Sequence, residues 1–462
     1  MAKTSSGKDG LNILIVGGGK IGSTLIEQLD REGHDITVID KNAAAIQSLT
    51  NSYDIMGIVG NGASYTVQME AGMATADLVI AVTDSDELNL LCCMVAKMVG
   101  NCAAIARVRT PDYSKEVPYL REKLGLAMII NPEYETAKEI SRILSLPSAL
   151  EVNSFAHGQA ELIKFKIPDG NPLDGRSVAE LGKSIIASMV ICIVERDGDV
   201  FIPTGHFRLK SGDTLSFIAS RKDVIAFLQQ IGIPTNQVKD TMIIGGGKAS
   251  YYLASALLRE GVKVKIFERD RARSEELSVL LPKATIINGD GTEEDLLIEE
   301  GIRSTDSFVP LTGSDEENIL LTLNAKKISD AKVVTKINHL NFKSVVGSLE
   351  LGSVIYPRYI CAEAIIAYVR AKKESRNSNI ETLYHLADHR VEALEFDVRE
   401  SSPVTGTPLF RLALKQNVLI ACINRDGRII IPSGQDTIEV GDEVTVVTTH
   451  SGFRDLQDIL AY

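Results

Sequence analysis

The amino-acid sequence predicts an α/β protein with two tandem Rossmann-like, doubly wound parallel sheets, each followed by a small α+β domain. Two observations predict this fold class: the chain repeats itself over a long period, and short apolar runs alternate with helical stretches within each copy. The 462 residues are enough for about three domains at roughly 150 residues each, and 44% of them are hydrophobic. A composition of this kind can bury sizeable cores, which excludes widespread disorder.

The repeat is visible without gaps over its first part. Residues 12–42 align with residues 240–270 at an offset of 228 residues. After a one-residue slip the alignment continues, with Gly60-Asn61-Gly62 on Gly289-Asp290-Gly291. Because the units of a solenoid run only about 20–50 residues, a period this long indicates duplicated domains.

Apolar and β-branched runs mark the expected strands in order. Six runs of the first half, mostly separated by helical stretches, predict a parallel βαβ series: residues 12–17, 35–40, 55–59, 77–82, 103–108 and 126–130. Four later runs alternate with turn residues and predict a small α+β unit: 160–167, 189–194, 200–202 and 214–219. Asp197-Gly198 predicts a tight hairpin turn within that unit.

The same patterns divide the chain into four predicted domains. Rossmann-like nucleotide-binding domains are expected at residues 11–147 and 239–376. Small α+β domains are expected at residues 148–234 and 380–462. One chain therefore holds each type of unit twice.

A glycine motif follows the first predicted strand and opens a helix. In Gly17-x-Gly19-x-x-Gly22, the first glycine makes the turn, the second lets a pyrophosphate approach, and the third allows close helix–strand packing. Asp40 stands 18 residues after Gly22, at the end of the second strand, where a carboxylate accepts ribose hydroxyls. This context predicts a nucleotide site; the alternative is a tight turn in a sheet that binds no ligand.

The second copy keeps only part of this motif. Gly245 and Gly247 remain, but Ser250 replaces the third glycine and Glu268 replaces the aspartate. Serine is small enough to pack there, and glutamate can still reach a ribose. The alternative is a Rossmann-like fold whose site stays empty.

Three further segments would lie beside a nucleotide. Asn61, between two glycines, follows the third strand, and Thr83 follows the fourth. The segment after Thr83 is also interpreted as a helix cap, with Asp84 and Glu87 resembling a capping box. Arg109 ends the fifth strand, where it would contact phosphates, a neighbouring subunit or only solvent.

Charge and composition exclude several classes of protein. A net charge of −12 argues against a nucleic-acid-binding protein. The six cysteines lie in apolar runs without a CxxC pair, which favours buried free thiols over disulfides or zinc. A membrane helix needs about 20 apolar residues, and no stretch of that kind is present. The sequence MAKTSSGKDG has no apolar signal core, so a soluble, cytoplasmic protein is expected.

No catalytic arrangement is visible in the sequence. The seven histidines are scattered, and neither a Ser/His/Asp nor a Cys/His constellation can be assigned. The segments after the Rossmann-like units are too small for the substrate domain that a dehydrogenase usually carries. A protein that binds a nucleotide and reports it is expected, and an NAD-dependent oxidoreductase is the alternative.

Three motifs stand out together: Gly17-Gly18-Gly19-Lys20-Ile21-Gly22 with Asp40, Ala81–Glu87, and Ala106–Tyr113. On these motifs almost the whole chain resembles the Trk A family, the cytoplasmic regulatory subunit of Trk potassium-uptake systems. The second half departs from it at Ser250 and at Lys336-Ile337-Asn338, where the first half has Arg107-Val108-Arg109. The candidate cofactor-binding residues are Gly17, Gly19, Lys20, Ile21, Gly22, Asp40, Asn61, Thr83, Arg109, Gly245, Gly247 and Glu268.

The resemblance implies a function and partners. The first-half pocket would bind NAD(H), with ATP or ADP as further possible ligands, and no metal or catalytic residue is expected. The protein would act as a homotetramer, peripheral on the inner face of the cell membrane. Its partner would be the pore-forming membrane subunit of a Trk-type potassium transporter, which it would gate.

Overall fold

Each half of the chain forms one parallel and one antiparallel sheet. The computed structural model describes residues 10–100, 102–114, 116–146, 148–155, 160–184, 189–233, 235, 237–338, 346, 349–373, 380–387 and 390–461. The predicted domain-boundary residues 147, 234, 376 and 462 lie outside this set.

The first parallel sheet has six strands in the order β3-β2-β1-β4-β5-β6. Its strands are β1 Asn12–Val16, β2 Asp35–Asp40, β3 Met56–Val59, β4 Leu78–Ala81, β5 Ala103–Arg107 and β6 Met128–Ile130. The helices are α1 Lys20–Arg31, α2 Ala43–Ser52, α3 Tyr65–Glu70, α4 Asp86–Val99, α5 Pro111–Ser114, α6 Val117–Lys123 and α7 Pro132–Ser145. This order places a crevice beyond the carboxyl ends of β1 and β4, where α/β sheets bind ligands.

The second half repeats this sheet in the order β14-β13-β12-β15-β16-β17. Its strands are β12 Asp240–Ile244, β13 Lys263–Glu268, β14 Thr285–Asn288, β15 Ser307–Pro310, β16 Lys332–Lys336 and β17 Ser353–Ile355. The accompanying helices are α10 Lys248–Arg259, α11 Arg271–Leu280, α12 Glu294–Glu299, α13 Asp315–Ile328 and α14 Pro357–Lys373.

An antiparallel five-stranded sheet follows each parallel one, in the orders β10-β9-β11-β8-β7 and β18-β19-β22-β20-β21. The first contains β7 Glu151–Phe155, β8 Ala160–Lys166, β9 Met189–Arg196, β10 Asp199–Phe201 and β11 Thr214–Ser220, with helices α8 Val178–Ser184 and α9 Arg221–Gln230. The second contains β18 Ile380–Leu386, β19 Val391–Asp397, β20 Val418–Arg425, β21 Arg428–Ile430 and β22 Glu443–Thr448. The predicted fold class is confirmed. β7 has no counterpart among the predicted strands.

The predicted hairpin turn is also confirmed. Asp197 and Gly198 join β9 to β10 with φ values of 50° and 85°, the left-handed conformation that a two-residue hairpin with the twist of its strands requires. Asp426 and Gly427 repeat it in the second half, with φ values of 51° and 78°.

Helices α7 and α14, which follow the two parallel sheets, each pack against the other half of the chain. α7 packs on α10, where the rings of Tyr134 and Tyr252 form a T-shaped, edge-to-face contact with centroids 5.5 Å apart. α14 packs on α1 of the first half, and α7 and α14 also contact each other. As a result, one hydrophobic core joins the first parallel sheet to the second antiparallel sheet, and another joins the second parallel sheet to the first antiparallel sheet.

All six cysteines are buried and free, which confirms the prediction of buried thiols. No helix in the described part of the chain is long and apolar enough to cross a membrane.

A buried ionic network lies where α14 meets α1 and the second antiparallel sheet. Arg370, 5% exposed, donates to Glu32 at 2.6 Å and to Glu392 at 3.2 Å. The His385 ring lies 3.5 Å from both Glu392 and Glu363. Burial opposes the imidazolium charge, but the hydrogen bonds and charges of the two glutamates outweigh burial and raise the pKa of His385 to about 9.

This network makes the stability of the protein depend on pH. The folded-state pKa of His385 lies above its ordinary value of about 6.5, so its stabilising effect is complete below pH 6.5 and is lost as the pH rises to about 9. Replacing His385 with Gln should lower the free energy of unfolding by roughly 1–3 kcal/mol at pH 6, because Glu363 and Glu392 lose a charged donor. Urea unfolding from pH 6 to pH 9.5 should show the gap between parent and variant closing.

The control is His206→Gln, a histidine exposed in the first antiparallel domain. Its stability should follow the parent curve at every pH. A constant gap between His385→Gln and the parent would mean that the histidine is not charged in the fold.

Candidate functional site

A cavity of about 980 Å³ opens at the carboxyl ends of β1, β2, β4 and β5. Its walls come from both halves of the chain. The first half contributes the glycine loop, Asp40, the segment after β4 and the end of β5, and the second half contributes Ala249, Lys336, Asn338, Pro357 and Arg358.

The glycine loop shapes the floor of this cavity. Gly17 has φ 107°, and an added Cβ would lie 3.0 Å from the backbone of Val82 and Thr83. A Cβ on Gly22 would lie 1.9 Å from the Gly17 oxygen. The close packing of α1 on the glycine loop therefore requires a residue without a side chain at position 22. A Cβ on Gly19 would meet nothing within 4 Å, and no side chain caps α1. The first backbone N–H groups of α1 are therefore open to an anion.

Asp40 is held at the rim by the backbone. One carboxylate oxygen accepts from the Gly18 N–H at 2.7 Å, and the other accepts from the Asn42 N–H at 2.8 Å. Each oxygen keeps a further acceptor position. The carboxylate therefore stands fixed beside the glycine loop, ready to accept from hydroxyl groups.

Asn89 joins the ends of β4 and β5. This fully buried side chain accepts from the Thr83 N–H at 2.8 Å and from its hydroxyl at 2.7 Å. Its amide donates to the carbonyl oxygens of Thr83 at 3.1 Å and Arg107 at 2.9 Å. Arg107 in turn donates to the Thr83 carbonyl and, at 3.0 Å, to Asp84. These contacts set the shape of the cavity wall.

Asp86 fixes the segment that carries Arg109. Its carboxylate accepts from the backbone N–H groups of Arg109 at 2.9 Å and Thr110 at 2.8 Å, and from the Thr110 hydroxyl at 2.7 Å. Burial opposes ionisation, but these hydrogen bonds outweigh burial and hold the pKa of Asp86 below its usual range. The helix cap predicted at Asp84 is wrong by one residue: Ser85 caps α4 by accepting from the Leu88 N–H.

Several buried polar atoms of the cavity lack a hydrogen-bond partner among the described residues. They are Nε of Arg107, Oε2 of Glu133 and Nε of Arg358. Burial raises the pKa of Glu133 and lowers the pKa values of Arg107 and Lys336. Unpaired buried polar atoms are costly, and a ligand with both donors and acceptors would satisfy these.

The second half has a related but altered loop. Glu268 accepts from the Gly246 N–H at 2.7 Å, as Asp40 does with Gly18. The Ser250 hydroxyl donates to the Gly245 carbonyl at 2.5 Å, and a Cβ on Gly247 would meet nothing within 4 Å. Arg273 reaches back and donates to the Gly246 carbonyl at 2.8 Å. The backbone arrangement is kept, and additional side chains surround it.

The structure brings most of the predicted first-half residues to one cavity. Its lining includes Gly17, Gly19, Lys20, Ile21, Asp40, Thr83 and Arg109. Gly22 lies behind the loop, and the Asn61 side chain accepts from the Ala63 N–H instead of lining the cavity. Gly245 and Gly247 lie in the loop of the second half, and Glu268, at the end of β13, accepts a hydrogen bond from that loop.

Sequence reasoning missed Asn89, Glu133 and Arg358. For Asn89 a signal was present: Asn318 stands at the equivalent place of the repeat, and its side chain likewise joins Thr312 to Lys336. For Glu133 and Arg358 no local signal exists, because each is the second residue of a helix that is far from the glycine loop in sequence.

Comparison with known proteins decides the family. The TrkA-N domain model matches residues 13–132 and 241–357, and the TrkA-C domain model matches residues 162–232 and 393–461. This chain belongs to the TrkA family. The Trk system potassium uptake protein TrkA of Haemophilus influenzae is 30% identical over 94% of this chain and 95% of its own length. A TrkA homolog of Archaeoglobus fulgidus is 30% identical over 97% of this chain and 100% of its own.

Solved structures agree in fold with this TrkA-family chain. A structure described as the GsuK channel bound to NAD has a TM-score of 0.62 and 20% identity, covering 96% of this chain and 78% of that one. The GsuK RCK domain has a TM-score of 0.62 and 19% identity, covering 96% and 93%. Membership of the TrkA family, whose members are named for potassium uptake, confirms the predicted family and the prediction that the chain is not an enzyme.

Asn89 provides a test of how this TrkA-family cavity is held. Replacing Asn89 with Ala should lower the free energy of unfolding by roughly 1–3 kcal/mol, because the Thr83 N–H and two carbonyl oxygens lose their buried partner. Asn318→Ala should have a comparable effect in the second half. Urea denaturation measures both.

Gln47→Ala, at an exposed position of α2, is the control and should change stability little. Equal stabilities of Asn89→Ala and the control would contradict the assigned role.

Proposed function

We propose that this chain is a regulatory subunit that binds NAD(H) or an adenine nucleotide in the first-half cavity and gates a Trk-type potassium transporter. The observation that carries the proposal is the uncapped start of α1 at the glycine loop, with Asp40 fixed beside it in a cavity of about 980 Å³.

The residues present fit such a ligand. The space that a Cβ on Gly19 would fill leads to the open N–H groups of α1, where a diphosphate would bind. Asp40 would accept from the hydroxyls of the adenosine ribose, and the backbone at Gly60 and Gly62 would lie beside the base. NAD(H), ATP and ADP share these groups, which is why all three remain candidates.

We propose that the first-half site is the tighter of the two. It combines three glycines with Asp40, whereas the second half has Ser250 and the longer Glu268, with Arg273 bonded to its loop. The cavity that both halves enclose lies at the first-half loop.

The transporter and the assembly are proposed on other grounds. Relatives of this chain are named Trk system potassium uptake proteins, and related structures are described as a GsuK channel bound to NAD and as GsuK bound to ADP. A cytoplasmic homotetramer, peripheral on the inner face of the membrane, would present eight Rossmann-like units as a ring to the pore-forming subunit. A ligand that prefers one ring geometry would shift the population of open transporters.

Paired glycine substitutions test the site. Gly19→Ala and Gly247→Ala place a methyl group in open space at φ values of −72° and −68°, so both variants should fold like the parent. Calorimetry with NAD⁺, NADH, ATP and ADP should show that Gly19→Ala lowers the affinity of the dominant binding event at least about tenfold, or by roughly 1.4 kcal/mol. Gly247→Ala should retain that event.

Thermal unfolding of both variants is the control for folding. Retained binding in Gly19→Ala together with loss in Gly247→Ala would reverse the ranking of the two sites.

Potassium flux tests the regulatory part. The purified chain would be reconstituted with a Trk-type pore-forming subunit in liposomes, and flux would be followed as the NAD(H) or adenine-nucleotide ratio changes. Asp40→Ala should weaken nucleotide binding by about 1.5–3 kcal/mol, the scale of hydrogen bonds to a charged group, and should blunt the flux response. Glu268→Ala is the matched control and should leave most of the response. Potassium flux that does not change with any nucleotide, together with NADH-dependent reduction of a carbonyl compound, would favour an NAD-dependent oxidoreductase instead.

A further inference from the structure

The cavity contains a cation from the second half that forms no ion pair with the residues that the structure describes. Arg358, in the first turn of α14, lines the same cavity as the first-half glycine loop. Its Nη2 donates to the Tyr359 hydroxyl at 3.2 Å, and the guanidinium carbon lies over that ring, 4.8 Å from its centre. Its Nε is buried without a hydrogen-bond partner among the described residues.

The other arginines of the cavity differ in this respect. Arg107 lies 3.0 Å from Asp84, and Arg109 lies 3.4 Å from Asp86. Within the described part of the chain, no carboxylate comes within 4 Å of Arg358, and the first turn of α14 holds no acidic residue. A guanidinium in this setting gains a large free energy from an anion, which it binds through paired N–H donors.

A second cation of the second half faces the same space. Lys336 lines the cavity and donates to the Leu311 carbonyl at 3.2 Å. Burial lowers its pKa, while the negative charges of Asp315 and Glu133 raise it and the positive charge of Lys20 in the first half lowers it. Lys20 and Lys336 therefore bring cations of both halves to one cavity, and an anion bound there would be attracted by both.

We infer that the first-half nucleotide site is completed by the second half, and that Arg358 binds a phosphate group of the nucleotide. This inference rests on the proposed nucleotide binding and adds the residue by which the second half contacts the ligand. The phosphates would lie between the start of α1 on one side and Lys336 and Arg358 on the other. Binding would then tie α14, and the antiparallel sheet that follows it, to the occupied site.

The test uses the full chain and measures affinity for ADP and for adenosine by calorimetry. Arg358→Gln removes the charge and should weaken ADP binding about ten- to hundredfold, the range expected when a hydrogen bond to a charged group is lost. Adenosine carries no phosphate, so its affinity, measured up to millimolar concentrations, should not change. Arg358→Lys keeps a positive charge and should restore part of the ADP affinity.

Arg271→Gln is the matched control, because that arginine is exposed on α11 and 84% of its side chain is accessible. It should bind ADP like the parent. Thermal unfolding without ligand should show that the Arg358 variants are folded, and added ADP should raise the unfolding temperature of the parent more than that of Arg358→Gln.

The outcomes separate this inference from the proposed function. A parent that binds none of the nucleotides would refute the nucleotide-binding proposal itself. A parent that binds ADP, with Arg358→Gln and Arg358→Lys binding equally well, would overturn the role of Arg358 and leave the proposed function standing. Loss of ADP affinity in Arg358→Gln with partial recovery in Arg358→Lys supports the contact.

Discussion

The exchange of helices α7 and α14 between the two halves is the constraint on which the rest of the structure depends. Ile140 and Leu144 of α7 are buried in the core of the second parallel sheet, and Val369 of α14 is buried in the core of the first. Each apolar side chain of this size stabilises the fold by about 1.5–3 kcal/mol when fully buried. Separating the halves would expose both helices, so the first residues of these helices, Pro132 and Pro357, stay fixed beside the same cavity.

This arrangement explains why the cavity holds polar atoms without partners. Glu133 and Arg358 follow the two prolines at equivalent places of the repeat, and both carry a buried atom without a hydrogen bond in the described structure. A core region would exclude such atoms, because an unsatisfied buried group costs about 1–3 kcal/mol. Buried polar atoms without partners in the cavity beside the glycine loop are typical of a binding site, where the ligand supplies the missing partners.

Much of the fold was predictable from the sequence because its signals are local. The strand predicted at residues 12–17 is Asn12–Val16, and the glycine loop lies between it and α1 as the motif requires. The exchange of α7 and α14 was not predictable, since the amphipathic pattern of a helix shows that one face is buried but not which element covers it. The place of Arg358 was not predictable for the same reason. It lines the cavity beside a glycine loop that lies more than 300 residues away in the chain.

This geometry explains where several differences between the two copies of the repeat lie. Asn338 and Arg358 stand where the first half has Arg109 and Glu133, and these four residues all line one cavity. If both copies were identical, two glutamates would line this cavity. With Arg358 in the second copy, the lining instead carries charges of both signs, which fits the proposed part of the second half in the first-half site. The altered glycine loop of the second half fits the proposed division: one half would provide the loop that holds a ligand, and the other would provide side chains and a crossing helix that respond to it.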